Sequence, residues 1–305
     1  MRVLEAPALT RLNWLVHGFS TRPGGISELK TLRDGEDTCE KALNLGFTDW
    51  DTGEHVRDNR EKFFRAIGAG KMRVVALRQI HSDIVHLVNS AGEPPRGTDS
   101  QGTESLTTVS SDAALQGDAL ITREPGVLLV VQIADCIPIL LADPKSRAIA
   151  AIHSGWRGTV RRIAAKTLGR MQLEFGTRPE GVIAALGAGI GQSCYEVGSE
   201  VAAEFHAQFP NARGWFEGPF DQLADSDNDP NWLPWLTMKP PGHAPPPPRV
   251  HLDLIAANRA ILEEAGISSR NISSSGLCTA CRSDLFFSFR KERTTGRMMA
   301  VIGIR

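Results

Sequence analysis

Two apolar runs dominate the pattern of hydrophobic and polar positions, Val127 to Ile133 and Arg147 to Ile152. Both are aliphatic or β-branched, have the length of a buried strand and are bounded by turn residues, Asp143-Pro144 and Gly155 among them. Each ends on residues that burial alone would not select. The first stops at Ala134-Asp135-Cys136, the second at His153 and a turn rich in Gly, Trp and Arg. Side by side in one sheet, the two runs would project Cys136 and His153 from strand ends, where thiol, imidazole and carboxylate meet on a rigid edge.

The remaining pattern alternates strands and helices. Residues 14 to 27 begin as a short strand and break into a glycine turn, and Asn44-Leu45-Gly46 reads as another turn. Helical spacing runs from Glu54 to Gly68, with Val56, Phe63, Phe64 and Ile67 on one side. Strands are predicted at Met72 to Leu77, Ile84 to Val88, Gly117 to Thr122 and Val182 to Leu186. A helix is predicted from about Thr159 to Glu174, its apolar face formed by Val160, Ile163, Ala164, Leu168 and Met171. Further helices are predicted over Val197 to Phe209 and His251 to Ala265. Strands at Asn271 to Ser275, Leu285 to Phe289 and Met298 to Ile304 close the chain. Residues 89 to 116 (polar, without periodicity) and 210 to 248 (rich in Pro, Trp and Asp) read as surface inserts.

Composition narrows the class without naming a function. The 305 residues are 41% hydrophobic and 23% charged, as in an ordinary globular protein. A net charge of −1 gives no field favouring nucleic acid or an anionic membrane. No apolar run approaches the ~20 residues of a membrane helix, and the first residues lack a signal-peptide pattern. Five cysteines spread through the chain argue against a disulfide framework, so a reduced, cytoplasmic, soluble protein is expected.

Several residues carry candidate chemistry. Ser20, Thr21 and Arg22 precede Pro23-Gly24-Gly25 and form either an anion-facing loop or a hairpin turn with a solvated arginine. Arg157 stands in the turn that opens a helix, where glycine amides and a guanidinium can receive an anion. His81 lies between two strands and reads either as a ligand or as a hydrogen-bonded edge residue. Gly187-Ala188-Gly189-Ile190-Gly191 lacks the following helix and ribose-binding acid of a dinucleotide site, which excludes a Rossmann reading. Cys278 and Cys281 form a single CxxC, read as two small half-buried residues in a turn.

In order, GFSTRPGGIS, ALNLG, VRDNR, LRQIHSDIV, GDALIT, ADCIPILLAD, AAIHSGWRGT, GAGIGQSCYEVG, HLDL, CTACRSDLFFSFR and GRMMAVIG resemble the YfiH-like family. That family is also called the multicopper polyphenol oxidase or laccase-domain family and the peptidoglycan editing factor family. It includes purine nucleoside phosphorylases related to the human laccase-domain protein. The resemblance spans nearly the whole chain. It departs at Ser193, where many relatives carry a second cysteine beside Cys194. It implies one domain over residues 1–305 with an α/β (α+β) fold of mixed β-sheets layered with helices, similar to the cysteine-hydrolase-like domain of a bacterial deamidating toxin. It also implies a single zinc held by His81, Cys136 and His153.

The function so implied is a zinc-dependent purine nucleoside phosphorylase acting on adenosine, inosine and S-methyl-5′-thioadenosine, with adenosine deaminase activity. Two imidazoles and a thiolate suit zinc and leave a fourth position for water or substrate. Ser20, Arg22, Asn44 and Arg157 are the candidate substrate and phosphate residues. Asp135 either orients a ligand and moves protons or bonds backbone amides at a strand end. Copper is disfavoured because, among eight histidines, no HxH pair occurs. The partners expected are a nucleoside and phosphate, with the chain a monomer or weak homo-oligomer. The alternatives are an amidase-like hydrolase editing a peptidoglycan precursor, with Cys136 as nucleophile, and a non-catalytic zinc protein whose fourth ligand is Cys194 or Cys278.

Overall fold

The computed structural model describes residues 1–33, 36–89, 115–218 and 250–305. Most of both predicted inserts therefore lies outside the described residues. In chain order the elements begin with β1 (Val3–Leu4), α1 (Pro7–Thr10), β2 (Leu15–Ser20), β3 (Pro23–Arg33), β4 (Glu36–Ala42) and α2 (Gly53–Ala66). Next come β5 (Arg73–Ala76), β6 (Val85–Leu87), β7 (Ala119–Thr122), β8 (Val127–Ile133), β9 (Ile137–Asp143) and β10 (Ala148–Ser154). The chain continues through α3 (Trp156–Val160), α4 (Ile163–Phe175), β11 (Ile183–Leu186), β12 (Glu196–Val197) and α5 (Ser199–Gln208). It ends with β13 (Phe216–Glu217), β14 (Val250–Leu252), α6 (Leu254–Glu264), β15 (Ile272–Ser274), α7 (Phe289–Glu292) and β16 (Met298–Ile304).

Two mixed sheets form the centre. One has the order β1-β2-β16-β8-β5, the other β15-β11-β9-β10-β7-β6, each with parallel and antiparallel pairs. Between them lie Leu129, Val131, Ala300 and Ile302 from the first sheet and Leu140, Ala142, Ile149 and Ala151 from the second. The outer face of the first sheet packs Leu128, Val130 and Val301 on Phe63 and Phe64 of α2. The outer face of the second packs Ile139, Leu141 and Ile152 on Ile163, Leu168 and Met171 of α4 and Ile261 of α6. Strands covered on both faces read as continuous apolar runs instead of alternating ones, which explains the sequence of β8 and β10. Burying each Leu, Ile or Val among them contributes about 1.5–3 kcal/mol.

The two runs are strands, but they do not share a sheet. β8 belongs to the five-stranded sheet and β10 to the six-stranded one. β10 lies between β9 and β7, and along β9 Ser154 stands opposite Ile137 and His153 opposite Pro138. The chain thus crosses from one sheet to the other within Ala134-Asp135-Cys136, and Asp135 takes a left-handed φ of 89° there. Cys136 and His153 still meet, because β9 starts at the residue after the thiol.

Four other expectations change. The glycine turn after β2 opens the long hairpin β3–β4. The helix predicted over Thr159 to Glu174 is broken at Arg162, whose φ is 59°, into α3 and α4. The helix predicted from His251 starts at Leu254, because Asp253 caps it by accepting the Ala256 N–H at 2.8 Å, and His251 lies in β14. Leu285 to Phe289 is not a strand. The amides of Leu285 and Phe286 turn back to the Arg282 carbonyl, while Phe286 and Phe287 fill a buried cluster with Met298 and Ile133.

A candidate metal centre at the seam between the sheets

Three side chains converge, two from connections and one from a strand end. His81 follows β5, Cys136 precedes β9, and His153 is the penultimate residue of β10. One ligand atom from each lies within 4.8 Å of the others. Cys136 Sγ stands 3.9 Å from His81 Nε2, and the two imidazole rings meet edge to face at 5.0 Å between centroids. A tetrahedral ion with Zn–N ~2.0 Å and Zn–S ~2.3 Å separates its ligand atoms by roughly 3.3–3.6 Å. The trio is therefore nearly at ligation spacing, and its N, N, S donor set is one that zinc takes.

The arrangement is fixed by Asp118, a fully buried carboxylate just before β7. Its Oδ1 accepts His153 Nδ1–H at 2.8 Å and the His81 backbone N–H at 3.1 Å. Its Oδ2 accepts the Ser82 N–H at 2.6 Å, the Ser82 hydroxyl at 2.7 Å and the Ile80 N–H at 3.3 Å. The first bond leaves Nε2 of His153 to face the cluster, the division of labour usual for ligating histidines. The amide bonds hold the 80–82 turn, in which His81 adopts a left-handed φ of 57°. Burial opposes ionisation of Asp118, but the bonds from His153 and Ser82 outweigh it and hold its carboxyl down to about 2.

Thiol and imidazole polarise each other. Burial disfavours the Cys136 thiolate, yet His153 and then His81 bring its pKa down to about 6. Burial likewise opposes charge on His153, and the Cys136 thiolate and Asp118 raise it to about 9. Gly155 permits this proximity: a Cβ there would sit 2.9 Å from Cys136 Sγ and 3.2 Å from His81 Cδ2.

The other sequence-selected residues are dispersed. Asp135 is buried and spends both oxygens on the C-terminal segment, accepting the Thr279 hydroxyl and the Arg290 N–H, each at 2.6 Å. Ser20 Oγ accepts the Met299 N–H. Arg22 is not a solvated loop residue. It is fully buried, with Phe287 beneath it and ion pairs to Glu292 and, at 3.2 Å, to Glu40. Asn44 is buried too, bonding Gly46, Thr48, Asp51 and the Arg297 N–H. Of the four residues chosen for phosphate, Arg157 alone is exposed, its guanidinium 4.3 Å from the Trp156 ring centroid. Cys194 and Cys278 form a second group with Cys281, so neither completes the first as a fourth ligand.

Sequence reasoning missed Asp118, Tyr195, Arg290 and Arg297. Tyr195 is within electrostatic reach of Cys136, Asp135, Arg157 and Arg290. Burial first, then the Cys136 charge, pushes its phenol well above the ordinary range, so it remains a proton donor. Arg290 lies over the Tyr195 ring at 4.9 Å. Arg297 interacts with the charges of Asp135 and Cys136, although burial lowers its pKa somewhat. The only signal for these residues was their place in resembling segments such as GDALIT, CYEVG, FFSFR and GRMM.

The model of a family described as multi-copper polyphenol oxidoreductase laccase matches residues 16–305. A Deinococcus radiodurans protein named purine nucleoside phosphorylase is 34% identical over 304 residues, covering 99% of this chain and 92% of its own. A protein from an unknown prokaryote, named adenosine deaminase RL5, is 31% identical over 276 residues, covering 90% of this chain and 91% of its own. The crystal structure of YlmD from Geobacillus stearothermophilus has a TM-score of 0.74 at 30% identity and covers 98% of this chain and 94% of that one.

Proposed function

The chain belongs to the laccase-domain, YfiH-like family, and on that premise we propose that it is a zinc-dependent purine nucleoside phosphorylase. Its substrates in this reading are adenosine, inosine and S-methyl-5′-thioadenosine, with adenosine deamination as a second activity. The observation that carries the reading is the His81–Cys136–His153 trio, backed by Asp118 and with Tyr195 and Arg297 within electrostatic reach. Similarity to proteins named purine nucleoside phosphorylase and adenosine deaminase supports the substrate class.

A zinc bound by these three donors supplies Lewis-acid polarisation and activates water near neutral pH. The residues of the chain do the rest. Arg157, exposed at a helix start, and Arg297 supply positive charge for phosphate or for charge developing on the substrate. In phosphorolysis a phosphate oxygen bonds to ribose C1′, the glycosidic bond breaks, and its electron pair goes to the purine. In this reading the phenol of Tyr195, kept protonated, donates a hydrogen bond to the departing base. In deamination water adds at purine C6 and ammonia leaves. Asp135 acts as a positioning residue that ties Thr279 and Arg290 to the crossover beside Cys136. Zinc is chosen over copper because the second cluster, Cys194–Cys278–Cys281, contains no histidine, whereas a multicopper oxidase relies on several histidine-rich centres. A reduced cytoplasmic setting suits this reading, and no described helix is long and apolar enough to cross a membrane.

The test is a nucleoside panel assayed with and without phosphate on wild type and Cys136→Ala. Free base and ribose 1-phosphate should appear only with phosphate, inosine should form from adenosine without it, and Cys136→Ala should abolish both. Wild type loaded with zinc that yields neither product would overturn the proposal.

A second reading rests on one observation, the Cys136 thiolate paired with a charged His153 when metal is absent. That is the state of a cysteine hydrolase, as an amidase editing a peptidoglycan precursor would need. A covalent adduct on Cys136 in active, metal-free protein would favour it.

A further inference from the structure

The CxxC at 278–281 has a place in the fold that neither the nucleoside reading nor a simple turn explains. Cys278 and Cys281 are joined by Cys194, from a segment 84 residues away in sequence counted back from Cys278, and one sulfur from each lies within 4.8 Å of the others. Cys194 Sγ and Cys281 Sγ are 3.3 Å apart. The Gly191 N–H donates to Cys278 Sγ at 3.1 Å and the Cys281 N–H to the same sulfur at 3.4 Å. Amide donors aimed at sulfur favour thiolate over thiol. The close approach needs glycine, since a Cβ on Gly191 would lie 3.1 Å from Cys278 Cβ and 3.3 Å from its Sγ. A backbone bridge from Gly189 to Cys278, with the Thr279 N–H donating to the Gly189 carbonyl at 2.9 Å, pins the CxxC onto the 187–191 loop.

We propose that Cys194, Cys278 and Cys281 form a second metal site, for a thiophilic cation such as Zn2+, separate from the His81–Cys136–His153 centre. Sulfur ligands of a tetrahedral zinc stand roughly 3.7 Å apart, inside the range spanned by these three. Cys281 is exposed, which leaves the fourth position open toward solvent. On binding, each thiol that is still protonated releases its proton to solvent, and three sulfur–metal bonds form without any change of oxidation state. The ion would then clamp the segment carrying Tyr195 to the C-terminal segment carrying Arg290, which touch at the Tyr195 ring. The site goes beyond the nucleoside reading and does not depend on it.

Metal content after zinc loading and dialysis under reducing conditions tests it. Wild type should hold about two zinc ions per chain, and Cys281→Ser about one while keeping its fold by circular dichroism. Cobalt-loaded Cys136→Ala, which has lost the thiolate of the first centre, should still show sulfur-to-cobalt charge-transfer absorption. One zinc in wild type, unchanged by Cys281→Ser, overturns the site. So does cobalt-loaded Cys136→Ala without that absorption, or a wild-type chain lighter by two hydrogens because Cys194 and Cys281 have formed a disulfide.

Discussion

His153 is held from behind by Asp118, its Nδ1 donating to Asp118 Oδ1 at 2.8 Å while the same oxygen accepts the His81 backbone N–H at 3.1 Å. A single carboxylate oxygen thus sets the ring of one candidate ligand and the backbone of another. Replacing Asp118 with Asn leaves the volume but removes the charge and frees the His153 tautomer. Metal affinity, measured by competition with a chelator, should fall about 10–100-fold.

The same carboxylate predicts the acid limb of stability. Its pKa drops from an ordinary 3.8 to about 2 in the folded protein. A depressed carboxyl stabilises above its unfolded value, so the contribution is complete above about pH 4 and vanishes as pH falls through about 2. It amounts to roughly 2 kcal/mol. Wild type and Asp118→Asn should therefore differ in acid unfolding at pH 5 and converge toward pH 2.

Metal uptake should rise with pH by a related mechanism. Ligation needs Cys136 as thiolate and His153 uncharged, and without metal these titrate near 6 and 9. Between those values one proton must leave His153, so affinity should increase about tenfold per pH unit up to about 9. Below about 6 Cys136 must also lose a proton, and the dependence steepens. Chelator competition at pH 5.5, 7 and 8.5 measures the slope.

Space at the trio is as constrained as charge. Gly155→Ala would put a methyl group 2.9 Å from Cys136 Sγ. The fold, followed by circular dichroism, should survive, whereas metal content and turnover should fall at least tenfold.

Arg157 and Arg22 separate binding from architecture. Arg157→Ala should raise the KM for phosphate about tenfold and leave deamination of adenosine, which uses no phosphate, nearly unchanged. Glu292→Gln should leave the buried Arg22 short of one counter-charge and cost about 1.5–3 kcal/mol in urea unfolding, although neither residue lies in the His–Cys trio.

Much of this was legible in the residues, for identifiable reasons. β8, β10, α2 and β16 emerged because apolar run length and 3.6-residue spacing are local signals. The sheet partners did not emerge. Strands buried on both faces lose the alternation that distinguishes their sides, so nothing in VLLVVQI says which sheet it joins. The break at Arg162 was hidden because Val160 and Ile163 continue one apolar stripe across it. Phe286 and Phe287 resembled a strand since packing selects the same aromatics in a buried turn. Asp118 was invisible as a site residue, because an acid before a strand reads as a turn until His153, 35 residues on, is seen to bond it.

The crossover at Ala134-Asp135-Cys136 has a consequence for how the protein fails on heating. Cys136 is carried where one sheet hands over to the other, His153 belongs to the second sheet, and the 79–81 turn is hooked to the first by paired bonds between Gln79 and Gln132. The trio therefore works as a gauge of alignment between two slabs. A sideways slip of a fraction of an ångström, too small to melt either slab, pulls the donors apart. Warmed protein should shed its ion and fall silent several degrees before its secondary structure is lost, and substitutions at Leu129 or Ala151, deep between the slabs, should move the first temperature more than the second.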